Sequence, residues 1–344
     1  KTAYEMCGRD WSSDVCSSDL LWYERRLLSD TELAALLAQP GHELHVCRYG
    51  TDLVGYFELL ENEIQFFGLT LPWIGRRIGP WLLDRAIEKA QRSVNPAAIE
   101  PGRYTVVLEP TAVANLVQLI GGSLNARSAD EGRSFFAKAG GGNKIGEKVV
   151  DERVTLVSDP FDPRVPAETV GFDGLPNGKT TWIENGVVQN LAYDRFWAQR
   201  TGNTPRSTGG TLAMSGGDTS VEEMIRSTER GLLVTRFWYI RGVDPRTILF
   251  TGLTRDGTFL IENGRITRPV KNLRYNESPI FMLNNVLAMG RPVRVSASES
   301  GGPGQAIMVP PLKVRDFTFT STRDRKSTRL NSSHVRTSRM PSSA

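Results

Sequence analysis

Histidine is nearly missing from this chain of 344 residues: there are three, His42, His45 and His334, and none falls between residues 97 and 321. Cysteine is equally scarce. Cys7, Cys16 and Cys47 are too few for a disulfide framework, which fits a reducing cytoplasm. No apolar run approaches the roughly 20 residues needed to span a bilayer, so no membrane role is expected. The first twenty residues lack the continuous apolar centre of a secretory signal, because Asp10, Asp14 and Asp19 interrupt them. A strongly basic face is missing too. Net charge is +4, but residues 323–344 hold six Lys/Arg against Asp324, and residues 1–20 are net −2, which leaves the body at +1. A near-neutral body gives no electrostatic case for nucleic acid. What is present, 39% hydrophobic and 23% charged residues, suffices for a packed core, and the length suggests two domains.

In "LSDTELAALLAQP" (28–40), Ser29 or Asp30 can cap a helix whose Leu33, Leu36 and Leu37 share a face. Residues 43–50, 52–60 and 62–71 alternate and read as antiparallel strands. Residues 78–92 carry an apolar stripe of Ile78, Leu82, Leu83, Ala86 and Ile87 and read as an amphipathic helix. "QRSVNPAAIEP" (91–101) breaks the pattern with Pro96 and Pro101.

Beyond this seam, 102–110 is a strand. A helix starts at 111, with Val113, Leu116, Val117 and Ile120 on one face, and Gly121-Gly122 weaken or end it. Residues 151–159 alternate as a strand. Two stretches, 178–191 and 256–270, each place Glu-Asn-Gly between β-runs. Asn-Gly suits the positive φ values of a type I′ turn, so both read as hairpins. Residues 219–231 form a capped helix with Gly231 at its C-terminal end. Strands follow at 232–244 and 247–254, a helix at 278–290 and a last β-run at 306–319.

Two resemblances carry the functional expectations. "LWYERRLLSDTELAALL", "LVGYFEL" and "EIQFFGLTLPWIGRRIGPWLLDRAI" resemble a GNAT N-acetyltransferase over about 70 residues. That family binds the acetyl-CoA pyrophosphate on backbone N–H groups of the loop before the helix. The resemblance places this loop at Gly75, Arg76, Arg77, Ile78 and Gly79, with Arg77 where the family has its central glycine. The family's later strands do not follow. Glu63 reads either as a base facing the acceptor amine or as a solvated strand residue.

The second resemblance covers about 225 residues. "PGRYTVVLEP", "ADEGRSFF", "WIENGVVQNLAYDR", "STERGLLVTRFW", "GLTRDGTFLIENGRI", "VKNLRYNESP" and "MVPPLKVRDF" resemble, in order, the C-terminal domain of the TldD/PmbA family. Catalytic members carry HExxxH on the first helix and a later cysteine; the histidines hold zinc and the glutamate is the general base. The corresponding positions here are Gln118, Leu119, Ser123 and Val234. The resemblance therefore implies the PmbA/TldE-like branch: a subunit without catalytic residues or metal, supporting proteolysis by a zinc-bearing TldD-type partner or pairing with itself as a dimer, on a peptide substrate.

Residues 1–20 and 325–344 resemble translated sequencing-adapter sequence, and the cut acetyltransferase pattern points to a chimera of two reading frames. The fold class is α+β: a truncated GNAT-like α/β unit (21–92), a seam (93–101) and a β-rich TldD/PmbA C-terminal domain (102–321), between an adapter-like leader (1–20) and tail (322–344). Acetyl-CoA is the cofactor only of the acetyltransferase alternative. Among polar groups, Asp130, Glu131 and Arg133 form the best constellation. Glu131 and Arg133 are candidates to hold a peptide terminus, the alternative being a loop ion pair. Asn276 and Glu277 are a second such pair. "TGNTPRSTGG" (201–210) is a flexible loop or a contact for a peptide backbone. In "HELHVC" (42–47), His42 and His45 do not converge on one face of a strand, so they and Cys47 read as strand and turn residues.

Overall fold

The computed structural model describes residues 42–49, 52–60, 63–69, 91–171, 174–297 and 306–322, with Ser29, Thr31, Arg76 and Asp84 as single positions. Both adapter-like ends lie outside the described residues, as do most of the two helices expected at 28–40 and 78–92; Thr31, Asp84, Gln91 and Arg92 are helical. The three expected strands form an antiparallel meander: β1 (His42–Tyr49), β2 (Asp52–Leu60) and β3 (Glu63–Leu69). The seam is tied to the body, since Ala97 exchanges backbone hydrogen bonds with Pro269 and Lys271.

The body holds two sheets. The first contains β4 (Gly102–Leu108), β9 (Arg230–Asp244), β10 (Leu249–Glu262), β11 (Arg265–Pro269), β12 (Leu273–Glu277), β13 (Val286–Met289) and β16 (Leu312–Thr322). Because β9 pairs with both β4 and β10, strands β10, β12, β16, β4 and β9 close into a ring. Long strands can turn this corner because register shifts interrupt β10 at Leu249/Phe250, Thr251/Leu253 and Arg255/Thr258; such bulges bend a strand and increase its twist. The second sheet runs β14 (Val293–Ser296), β15 (Ala306–Val309), β8 (Leu212–Met214), β5 (Leu156–Ser158), β6 (Thr180–Glu184), β7 (Val187–Val188). Helix α1 (Pro110–Ser123) touches β9 of the first sheet and β14 and β15 of the second. Its Val113, Leu116, Val117 and Ile120, the stripe read from the sequence, are wholly buried. Short helices α2 (Ala126–Asp130), α3 (Arg195–Thr201), α4 (Val221–Arg226) and α5 (Pro279–Asn284) complete the body. Among the described residues no helix is long and apolar enough to cross a membrane.

Both Asn-Gly turns are hairpins. Asn185 and Gly186 have φ of 49° and 80°, and Asn263 and Gly264 have 51° and 74°, the left-handed pair a type I′ turn needs. Other boundaries differ from the sequence reading. The helix expected at 219–231 stops at Arg226. Gly231 lies instead in β9, where a Cβ would collide with the Thr105 carbonyl oxygen across the parallel β4–β9 pair. The helix expected at 278–290 ends at Asn284, and Val286–Met289 is β13. The single run at 306–319 is two strands in different sheets, β15 and β16, separated by Pro310-Pro311.

The strand expected at 151–159 is shortened to β5, because Asp151 instead forms a turn. Its carboxylate accepts from Arg153 N (2.9 Å), Nε (2.8 Å) and Nη2 (2.8 Å), while Nη2 also donates to Val286 O at 2.6 Å. These charged donors hold the Asp151 carboxyl at about 2, below its ordinary 3.8. A depressed carboxyl stabilises the fold above its unfolded value, and that contribution is lost as pH falls through the folded one. Asp151→Asn is therefore expected to lower stability at pH 7 and to match wild type more closely near pH 2. Urea melts at the two pH values check this; an equal deficit at both would refute it.

Candidate functional site

Strand β4 delivers α1. Glu109 caps it in an extended conformation, and Pro110 opens it where no backbone N–H is needed. Asn115 and Gln118, three apart, share one face. Asn115 Oδ1 accepts from Phe237 N at 3.1 Å in β9, and its Nδ2 donates to Ala297 O at 3.3 Å, just after β14. Gln118 Nε2 donates to the same Ala297 oxygen at 2.7 Å. One amide pair thus clamps the helix to both sheets. One turn on, Ser123 Oγ donates to Leu119 O at 2.7 Å, so its hydroxyl is used within the helix.

These are the positions where the peptidase resemblance places zinc ligands and base. They do not fit the metal. Gln118 presents N–H groups to a carbonyl, Ser123 is engaged, Leu119 packs against the core, and Val234 is wholly buried in β9. Zinc takes Cys, His or carboxylate ligands. Among the described residues no group of three or more His, Cys, Asp and Glu could hold a metal ion.

The other candidates lie on separate elements. Glu131 follows α2 on the surface, accepting from Arg127 Nε at 2.9 Å and Arg133 Nε at 2.9 Å. Both guanidinium groups lower its carboxyl. Arg127 also lies 5.7 Å from the Phe196 ring and 5.5 Å from that of Trp197. A peptide carboxylate at Arg133 would compete with Glu131. Asp130, its neighbour in sequence, is engaged elsewhere. It accepts from Asn143 Nδ2 and Trp197 Nε1, both at 2.7 Å, and ties α2 to α3. Asn276 is exposed near the end of β12, whereas Glu277 is buried. The acetyl-CoA loop positions Gly75, Arg77, Ile78 and Gly79 lie outside the described residues, and Arg76 is exposed. In β1, His42 and His45 pair with Leu60 and Phe57 of β2, and burial pushes the Cys47 thiol up.

Glu277 accepts from Ser278 N at 2.9 Å and Thr318 N at 3.0 Å, joining β12 to β16. Burial raises its carboxyl above the ordinary 4.5, against the opposing pull of those N–H groups and Arg103. The fold thus favours the protonated form. This contribution to stability is full below the unfolded value and lost as pH rises through the folded one. Between pH 4 and 7, wild type is expected to lose stability relative to Glu277→Gln, which cannot ionise. Denaturation of both proteins at the two pH values checks the sign, and a relative gain would overturn it.

Residues 101–321 match the PmbA/TldA metallopeptidase C-terminal domain. A metalloprotease of Methanothermobacter thermautotrophicus is 27% identical over 314 residues, covering 84% of this chain and 63% of the relative. A metalloprotease TldD homolog of Buchnera aphidicola is 24% identical over 270 residues, covering 73% and 53%. The solved structure of TldE from Thermococcus kodakarensis superposes with a TM-score of 0.57 at 19% identity, over 80% of this chain and 61% of that one; this likeness concerns the fold alone. The chain thus spans about half to two thirds of the length of these relatives. A match over 84% of the chain also reaches N-terminal of residue 101, since residues 101–344 are 244 of the 344. It enters the stretch read as an acetyltransferase, and none of the three relatives is described as one. The acetyltransferase alternative receives no support from them.

Proposed function

Because this chain belongs to the PmbA/TldD metallopeptidase family, we propose that it is a subunit without catalytic residues of its own, supporting proteolysis by a zinc-bearing TldD-type partner. The observation that carries this reading is the clamp midway along the would-be zinc helix. Gln118 holds the Ala297 carbonyl where the resemblance calls for a metal ligand, and Leu119 replaces the general base. Peptide hydrolysis by metal-bound water needs both functions, so the chemistry is assigned to the partner. The role left to this chain is to shape the path of the peptide and complete the dimer, in the cytoplasm.

The test is reconstitution. The purified chain alone is expected to leave a denatured-protein substrate uncut, with or without added zinc. Mixed with a TldD-type subunit from the same source, it should co-elute with that subunit and raise its zinc-dependent peptidase rate. Peptide cleavage by the chain alone, or a partner whose elution and rate are unchanged by it, would sink the reading.

A further inference from the structure

A polar cleft of about 420 Å³ lies beside β6 of the second sheet, lined chiefly by Lys179, Thr180, Thr181, Asn190, Arg206 and Ser207. It shares no lining residue with the α1 clamp or the Glu131 cluster. Among the described residues no carboxylate lines it, while two cations do. The strand β6 supplies the two threonines, and the loop 201–210 supplies Arg206 and Ser207.

Arg206 is held in place by neutral groups. Its main chain exchanges hydrogen bonds with Tyr193, at 2.8 and 3.1 Å. Its Nη1 donates to Asn190 Oδ1, and Asn190 Nδ2 in turn donates to Thr181 O at 2.7 Å. A neutral amide therefore orients the guanidinium, and no carboxylate is bonded to it among the described residues. Lys179 is exposed and forms no ion pair among the described residues; its charge is felt at Asp162, which is itself bonded to Arg164. A positioned fork, an exposed ammonium and hydroxyl-bearing residues, with no acid among the described lining residues, are the donors that recognise an anion. A binding pocket of this size is ordinarily mostly apolar; the polar lining here selects a polar ligand.

We propose that this cleft binds the carboxylate of a short peptide, with Arg206 as the fixed fork and Lys179 as the second, adjustable cation. The anion site stands on the geometry; the choice of a peptide rests on the function proposed above. In that reading the cleft would hold one end of the chain whose cleavage occurs on the partner.

The experiment is calorimetric titration of the whole chain with three probes: tetra-alanine with a free C-terminus, the same peptide amidated, and inorganic phosphate. The free acid is expected to bind saturably, and less tightly as salt is raised. Amidation should weaken it about fivefold or more, and Lys179→Gln about threefold to tenfold. Lys179→Arg should restore binding, and Arg206→Lys should fall between wild type and Arg206→Gln. Lys179 is exposed, so its variants keep the test decisive even if Arg206→Gln disturbs the loop. Equal binding of the amidated peptide, or unchanged affinity in Lys179→Gln, would overturn the proposal. Phosphate binding with no peptide binding would overturn the ligand class. Peptide binding here together with failed reconstitution would sink the subunit reading and leave the cleft standing.

Discussion

Phe317→Ala is expected to cost about 3–5 kcal/mol of folding stability, the range for emptying an aromatic site in a closed core. Phe317 is 1% exposed and sits inside the ring of strands. It stacks on Phe237 at 5.5 Å and 8°, and meets Phe319 at 5.2 Å and Tyr275 at 5.8 Å. These partners come from β9, β16 and β12, so one ring fills the space that three strands share. Such pairs add about 0.5–1.5 kcal/mol beyond burial. The site cannot collapse easily, because the ring closes through backbone hydrogen bonds on every side. Phe317→Leu should recover much of the loss. Urea unfolding of both variants measures this; a loss below about 1 kcal/mol for alanine would mean that the aromatic cluster is not a core.

The second large effect is expected at Trp182, in β6. It is fully buried, and its Nε1 donates to Ser158 Oγ at 2.7 Å; Ser158 Oγ itself donates to Thr211 O at 2.6 Å. Trp182→Ala is expected to cost about 3–5 kcal/mol. Trp182→Phe keeps most of the volume but leaves the Ser158 oxygen without its donor, and should cost about 1–3 kcal/mol. The two variants also probe the cleft. Ser158 holds the segment that leads from Arg206 and Ser207 to β8, so loosening it should weaken peptide binding in a protein that remains folded. A Trp182→Phe protein with wild-type stability and wild-type peptide affinity would refute the role given to this chain of hydrogen bonds.

What the sequence made legible was local. Asn185-Gly186 and Asn263-Gly264 announced their hairpins, because positive φ at two successive residues is a demand few other pairs meet. The Val113–Ile120 stripe announced the buried face of α1. Ser220 and Glu223 form the capping box that starts α4, in agreement with the capped helix read there. The failures are all tertiary. Gly231 looked like a helix terminator, yet it is needed where the Thr105 backbone crosses close by. Residues 286–289 carry on the apolar character of the preceding helix, and only β16 draws them into a sheet. Pro310-Pro311 gave no hint that the chain changes sheets there. At the candidate sites, Asp130, Glu131 and Arg133 were grouped because they are adjacent; the fold turns Asp130 towards Trp197 and leaves the other two outside. The cleft was half visible. The loop 201–210 stood out by composition, but Lys179 lies more than twenty residues away from Arg206, and no local pattern joins them.

The place of β16 has a consequence for how this protein is made. It pairs with β4, β12 and β13, and β4 leaves the ribosome some 210 residues before it. At about 5–20 residues per second, Val106, Val107 and Leu108 wait roughly 10–40 s for the strand that covers their edge. During that time β4 is an apolar β-segment with an unpaired side, the kind of surface that nucleates aggregation. The nascent chain is thus expected to be a client of chaperones until residue 322 has emerged, and a ribosome stalled between β12 and β16 should release an insoluble product.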